Sequence, residues 1–170
     1  MESEYSVEPL GPQHNRAAFS CGVDELDTYI KKYASQDQRR YLAAVHVLRR
    51  VSEPATILGY YTLGGYAVEY TGLSPTMVKN LPRYDVLPAA LIGRLAVDQR
   101  HQGQGFGKVL LIHAFETVLQ RQQDMAAMAI IVEAKDDASR AFYEKYGFLR
   151  MPDRPYRLVI PMTTVKRSLA

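Results

Sequence analysis

Arg100-His101-Gln102-Gly103-Gln104-Gly105-Phe106-Gly107-Lys108 is the stretch whose reading decides the fold. It follows a strand-like run, Leu91 to Val97, and opens an apolar helix expected over Phe106 to Leu119. A helix N-terminus presents N–H groups without intrahelical partners and carries the positive end of the helix dipole. Glycines at 103, 105 and 107 let a backbone approach a bulky anion, and Arg100 and Lys108 add positive charge. The stretch reads as a phosphate or pyrophosphate cradle. A plain structural turn is the alternative, since glycine clusters mark loops generally.

Two familiar cradles fail on spacing. A P-loop needs Gly-x-x-x-x-Gly-Lys-Ser/Thr, but position 102 is Gln and position 109 is Val, so the first glycine and the metal-binding hydroxyl are both missing. A dinucleotide fingerprint needs Gly-x-Gly-x-x-Gly in a first βα unit. Here the spacing is Gly-x-Gly-x-Gly, late in the chain.

The bulk properties suit a small soluble enzyme. With 170 residues, 47% of them hydrophobic, the chain is expected to be one domain over 1–170. No apolar run approaches the ~18 residues of a membrane span. The acidic start Met1-Glu2-Ser3-Glu4 is unlike a signal or transit peptide, so a cytoplasmic location is expected. Cys21 is the only cysteine, which excludes an internal disulfide and a Cys-rich metal site. The four histidines lack metal-ligand spacing, and no metal is expected. The net charge of +3 is unevenly placed: Lys31, Lys32, Arg39, Arg40, Arg49 and Arg50 crowd the first third, and Arg150, Arg154, Arg157, Lys166 and Arg167 the tail. Such clusters either follow phosphates or form an ordinary solvated surface.

The element order is α/β. Tyr5 to Leu10 reads as a strand, and Asp24 as the cap of a helix with Leu26, Ile30, Tyr33 and Ala34 on one face. Arg40 to Val51 and Ile57 to Tyr70 read as a hairpin. Thr71 to Pro88 holds three prolines and a short possible helix, and is a candidate border of a substrate groove. Met128 to Glu133 reads as a buried strand, Ala138 to Tyr146 as a helix stopped by Gly147, and Phe148 to Met151 and Tyr156 to Ile160 as closing strands.

Gly93 to Gly107 resembles the acetyl-CoA-binding motif of the GNAT N-acetyltransferase superfamily, Arg/Gln-x-x-Gly-x-Gly/Ala, with Arg100, Gly103 and Gly105 in the defining positions. Asp136-Asp137-Ala138-Ser139-Arg140-Ala141-Phe142-Tyr143 through Gly147-Phe148 resembles the superfamily's second landmark, with Asp136 for the usual Asn and Ser139 for the usual Ala. The resemblance implies a mixed, mostly antiparallel sheet, with splayed central strands flanked by helices. It implies acetyl-CoA as cosubstrate, with its pantetheine along the backbone of Leu95, Ala96 and Val97 and its pyrophosphate on the amides of Gln102 to Lys108. Asp136, Ser139 and Phe142 are then expected beside the cofactor. Tyr143 is expected to be the catalytic acid that protonates the departing thiolate, because a phenol is neutral at pH 7 and donates; an aromatic core residue is the other reading. No general base stands out: Glu133 and Asp136 are candidates that equally suit a surface or a helix cap.

Phe19-Ser20-Cys21-Gly22 through Leu26-Asp27-Thr28-Tyr29-Ile30 is similar to the N-terminal segment of the tRNA-acetylating, TacT-like toxins of toxin–antitoxin pairs. That likeness runs on through Gly59 to Leu63, Leu81 to Pro88 and the Pro-Met end. It implies acetylation of the α-amine of aminoacyl-tRNA, a homodimer and a ribbon-helix-helix antitoxin partner. Lys31, Lys32, Arg39 and Arg40 become candidate tRNA contacts. A GNAT enzyme acting on a small-molecule or protein amine, and a module that binds acetyl-CoA without transfer, remain open beside it.

Overall fold

The computed structural model describes residues 3–170; Met1 and Glu2, which open the acidic N-terminal stretch, lie outside the described residues. Strand β1 (Tyr5–Pro9) leads to α1 (Asp24–Thr28), a π-helical turn (Tyr29–Tyr33) and α2 (Ala34–Arg39). Strands β2 (Ala44–Arg50) and β3 (Gly59–Glu69) follow, then the short α3 (Pro75–Val78) and the long β4 (Val86–Val97). Helix α4 (Phe106–Gln120) leads to β5 (Ala129–Glu133) and α5 (Asp137–Lys145). Strands β6 (Leu149–Met151) and β7 (Arg154–Pro161) and helix α6 (Met162–Leu169) complete the chain.

The sheet has seven strands in the order β1-β2-β3-β4-β5-β7-β6. The pairs β1–β2, β2–β3, β5–β7 and β6–β7 are antiparallel. β4 and β5 run parallel, from Ala90 opposite Ile130 to Ile92 opposite Val132, with α4 as the crossover. This is the mixed, mostly antiparallel sheet that the sequence led us to expect.

Two compact units make up the chain, one of residues up to Gly64 with Gly93–Ala114, the other of Gly65–Ile92 with Phe115–Ala170. In the first, alternate residues of β2, Val45 and Val47, are fully buried with Ile30, Ala34, Ile57 and Tyr60. Each of the buried Val and Ile side chains contributes about 1.5–3 kcal/mol by leaving water. Phe19 meets Tyr60 edge-on at 5.5 Å, and the Tyr60 hydroxyl donates to the Leu26 carbonyl at 2.7 Å. A second ring stack joins β2, β3 and α4. His46 lies flat on Tyr61 at 4.9 Å, and the Tyr61 hydroxyl meets His113 Nδ1 at 2.7 Å. Nδ1 of His46 is buried with no hydrogen-bond partner among the described residues. Burial, and after it the neighbouring His113, lowers the His46 pKa to about 4.

The N-terminal helix departs from expectation in two ways. Val23 occupies the cap, and Asp24 is instead the first of three acidic residues in the first turn, where they complement the dipole. The π turn inserts an extra residue, so Tyr29, Ile30 and Ala34 are buried while Tyr33 is turned outward and is 52% exposed. A strict 3.6-residue period does not foresee that insertion.

Both α2 and α5 close with the same pair of main-chain bonds. In α5, Gly147 N–H donates to the Glu144 carbonyl at 3.1 Å and Phe148 N–H to the Tyr143 carbonyl at 3.3 Å. In α2, Tyr41 N–H donates to Gln38 at 3.2 Å and Leu42 N–H to Asp37 at 2.9 Å. The pivot of this closure is left-handed. Gly147 adopts it at φ 103, whereas Tyr41 adopts it at φ 58 with a side chain 95% exposed. For an L-residue that conformation costs roughly 1–2 kcal/mol. The turn also shortens the expected strand, so β2 begins at Ala44 rather than Arg40.

In the second unit, Val68, Leu73, Leu87, Ala89, Ala129, Ile131, Met151 and Val159 form the core. The expected loop from Thr71 to Pro88 holds α3, capped by Ser74 accepting from Met77 N–H, and its last residues belong to β4. Helix α6 was not expected. It buries only Met162 and Val165, and Met-Thr-Thr-Val is a weak helix former.

Candidate active site

Strand β4 delivers the chain to the cradle with Ala96 buried and Leu95 and Val97 half-buried. The next residue, Asp98, is 1% exposed, and it organises the turn between β4 and α4. Its Oδ2 accepts from Ser20 N–H at 3.1 Å, and its Oδ1 from Arg100 N–H and Arg100 Nε at 3.0 Å each. Arg100 Nη2 adds bonds to Asp98 Oδ2 at 3.2 Å and the Ala18 carbonyl at 3.3 Å. Burial pushes the Asp98 carboxyl up, but the Arg100 hydrogen bond and the two amides outweigh it and hold the pKa below the ordinary range. Arg100, expected to face the anion, is thus tied to Asp98 by its guanidinium.

Gln102 braces the turn from the other side, donating through Nε2 to the Val97 carbonyl at 2.9 Å and the Cys21 carbonyl at 3.1 Å. Gln99 N–H donates to the Ser20 carbonyl at 2.8 Å. Beyond this brace, Gly103 and Gly105 stand at φ 80 and 85, and no atom lies within 4 Å of where their Cβ would be. The two glycines are there for backbone conformation, and they leave open space. Gly105 accepts the Val109 N–H at 3.2 Å. The N–H groups of Phe106, Gly107 and Lys108 therefore open the 15-residue helix α4 and point out of its N-terminus. Phe106 is buried as the anchor, edge-on to Tyr5 at 5.0 Å and to His101 at 6.3 Å. Gln102, Gly103, Gln104, Gly105 and Lys108 are exposed. Outward amides, the positive helix end, open space and a lysine are the donor set a pyrophosphate requires.

In the second unit, α5 is capped by Asp136, whose Oδ1 accepts from Ser139 N–H at 2.8 Å. That bond, first among the causes, lowers the Asp136 pKa. Asp136 does the capping work of an Asn, so the departure from the family pattern leaves the helix start intact. In this structure its side chain caps the helix. Glu133, the other base candidate, sits 3.5 Å from Arg157 Nη2. Tyr143 is 7% exposed, edge-on to Phe142 at 5.2 Å and Phe148 at 5.4 Å, and burial raises its pKa. The phenol is therefore a neutral donor across the physiological range. Its carbonyl takes the closing bond of α5, which fixes the residue along the helix axis.

Of the basic residues, Arg49 is held by Glu8 at 2.6 Å, Arg150 by Glu144 at 3.2 Å and Arg157 by Glu133, while Lys31, Lys32, Arg39 and Arg40 are exposed. Sequence reasoning missed Asp98, Ser20 and the double role of Gln102. An acid two residues before a cationic cradle residue was the available signal.

Residues 22–148 match the Acetyltransferase (GNAT) family, which takes in both the cradle and Tyr143. The chain belongs to the GNAT acetyltransferase family. The GNAT chain is 32% identical to a tRNA-acetylating toxin of Mycobacterium tuberculosis, over 85% of its length and 84% of the relative's. It is 28% identical to a probable toxin TacT of Sinorhizobium fredii, over 94% of its length and 92% of the relative's. Among solved structures, the GNAT chain resembles AtaT complexed with acetyl-methionyl-tRNAfMet, with a TM-score of 0.89, 26% identity, and 98% and 99% of the two chains covered. It also resembles AtaTR bound with acetyl-CoA, with a TM-score of 0.85, 25% identity, and 98% and 99% covered. Among the described residues of this GNAT chain, no helix is long and apolar enough to cross a membrane, and no group of three or more His, Cys, Asp or Glu is placed to hold a metal.

Proposed function

We propose that this GNAT chain transfers an acetyl group to the α-amine of the amino acid on aminoacyl-tRNA, and so acts as the toxin of a toxin–antitoxin pair. The observation that carries the reading is the braced turn at the N-terminus of α4, where Gly103 and Gly105 leave open, left-handed backbone for a pyrophosphate. The names of the relatives support the acceptor. Acetyl-CoA, when bound, supplies the activated carbonyl and the thiolate leaving group. The amides of Gln102 to Lys108 hold its pyrophosphate, and the backbone of Leu95, Ala96 and Val97 takes the pantetheine. Asp136, Ser139 and Phe142 border the cofactor from α5. Tyr143 gives its phenolic proton to the leaving sulfur.

The acceptor fits a site without an assigned base. An α-amine has a pKa near ~7.7, so an appreciable fraction is already neutral, whereas a lysine amine near ~10.4 is not. Exposed Lys31, Lys32, Arg39 and Arg40 suit a polyanion. The reading includes one catalytic domain over the whole chain, a cytoplasmic location with the tRNA, a homodimer and a ribbon-helix-helix antitoxin.

The test is incubation of the purified protein with acetyl-CoA and aminoacylated tRNA. N-acetylated amino acid on the tRNA with stoichiometric release of CoA is expected. CoA release with polyamines or lysine peptides, but not with aminoacyl-tRNA, assigns the small-molecule or protein amine instead. Binding of acetyl-CoA without release of CoA under any of these conditions assigns a non-catalytic module.

A further inference from the structure

We infer that Tyr41, between the cations Arg39 and Arg40 and the exposed Leu42, is a stacking platform for an unpaired base of RNA. The inference rests on the aminoacyl-tRNA reading above. At the end of α2 the chain keeps a tyrosine in a left-handed conformation that it gives to glycine at the equivalent position of α5. Burial does not offset that cost, since the side chain is 95% exposed, and Leu42 beside it is 66% exposed. An aromatic ring held out in solvent by a strained closure does nothing for the fold.

The closure is itself rigidly held. Asp37, whose carbonyl accepts Leu42 N–H, also takes the Tyr29 hydroxyl through Oδ2 at 2.8 Å. Tyr29 is buried, with the Arg94 guanidinium 3.6 Å above its ring. Tyr41 therefore projects from a fixed point. Exposed Lys31, Lys32, Arg39 and Arg40 lie on the same helical segment or at its end, with Tyr33 half exposed between the two pairs. Cations that follow phosphates, with an aromatic face among them, are the usual elements of a site for single-stranded nucleic acid. The favoured occupant is RNA because of that charge, and within a tRNA the unpaired nucleotides supply free base faces.

The test compares binding of deacylated tRNA, and of a blunt RNA duplex without unpaired nucleotides, to the full-length wild type and to Tyr41→Gly, Tyr41→Ala and Tyr41→Phe, alongside thermal melting. Loss of one stacked base predicts about 5-fold to 150-fold weaker tRNA binding for Tyr41→Gly and Tyr41→Ala. Tyr41→Phe stays within about twofold, and duplex binding is unaffected by all three. Tyr41→Gly melts no lower than wild type, because glycine suits the conformation. Tyr41→Gly binding tRNA as tightly as wild type overturns the inference. Equal losses on tRNA and duplex overturn it in favour of a backbone contact. A change of sedimentation mass in Tyr41→Ala overturns it in favour of a contact between copies. Wild type that binds tRNA in the Tyr41-dependent way yet acetylates no aminoacyl-tRNA removes the proposed function and leaves the platform. Acetylation by wild type, with tRNA binding indifferent to Tyr41, removes the platform alone.

Discussion

Asp98 takes both the main-chain N–H and the guanidinium of Arg100, each at 3.0 Å, from a side chain that is itself buried. One carboxylate thereby sets the shape of the turn and the direction of its arginine. The guanidinium nearest the turn thus serves internal geometry, and the outward amides and Lys108 are the groups left facing solvent.

Asp98→Asn is expected to lower stability by about 1–3 kcal/mol, since one carboxylate oxygen becomes an amide that cannot accept. The native pKa of Asp98 is depressed, so its stabilisation is present above the unfolded value near ~3.9 and is lost as pH falls through the lower folded value. Acid unfolding followed by circular dichroism should show a shallower acid limb for the variant.

Gly103→Ala should cost about 1 kcal/mol of conformational strain, because φ is 80 and nothing lies within 4 Å to be displaced. Gly103→Asp adds a negative charge at the same place and should weaken acetyl-CoA binding at least about tenfold. Thermal melting reads the first and calorimetric titration with acetyl-CoA the second, and an unchanged affinity for Gly103→Asp would place the pyrophosphate elsewhere.

Tyr143→Phe should lower kcat by about 10²- to 10⁴-fold while the acetyl-CoA Kd stays the same, because the ring keeps its contacts with Phe142 and Phe148 and only the acidic proton is lost. Expression of the wild type should arrest growth, and the variant should relieve the arrest.

His46 makes the fold acid-sensitive in a separate window. Its native pKa of about 4 lies below the unfolded ~6.5, so the unfolded state takes up the proton first. Stability is full above ~6.5 and falls by about 3 kcal/mol as pH drops toward 4. His46→Phe retains the stack on Tyr61 and should flatten thermal melts between those values.

Charge reversal of Arg39 and Arg40 together should weaken tRNA binding strongly in low salt and little in high salt, as loss of phosphate contacts requires. The measurement is affinity against salt concentration, and a shallower slope than wild type is expected.

The glycines at 103 and 105 were legible because only glycine takes their conformation cheaply, and Asp136 because its position announces a helix start. The β-branched and aromatic residues of Arg40 to Val51 and Ile57 to Tyr70 likewise announced β2 and β3. What escaped was whatever depends on distant partners. Asp98 looks like a loop acid until Ser20, 78 residues earlier, is seen donating to it. The bond from Arg100 to Asp98 escaped because sequence gives a side chain no direction. The π turn at Tyr29 escaped because an inserted residue leaves the composition of the helix unchanged, and α6 because its two apolar anchors are too few to make a pattern.

The segment from Phe19 to Ile30 first stood out as a mark of one acceptor class. In the fold, Ser20 and Cys21 hold Asp98, Gln99 and Gln102 through main-chain groups alone. It is a strut beneath the turn between β4 and α4, the donor end of the proposed reaction. If the proposed cradle is right, variation in this strut is expected to register first in the affinity for the acetyl donor and only then in the choice of acceptor.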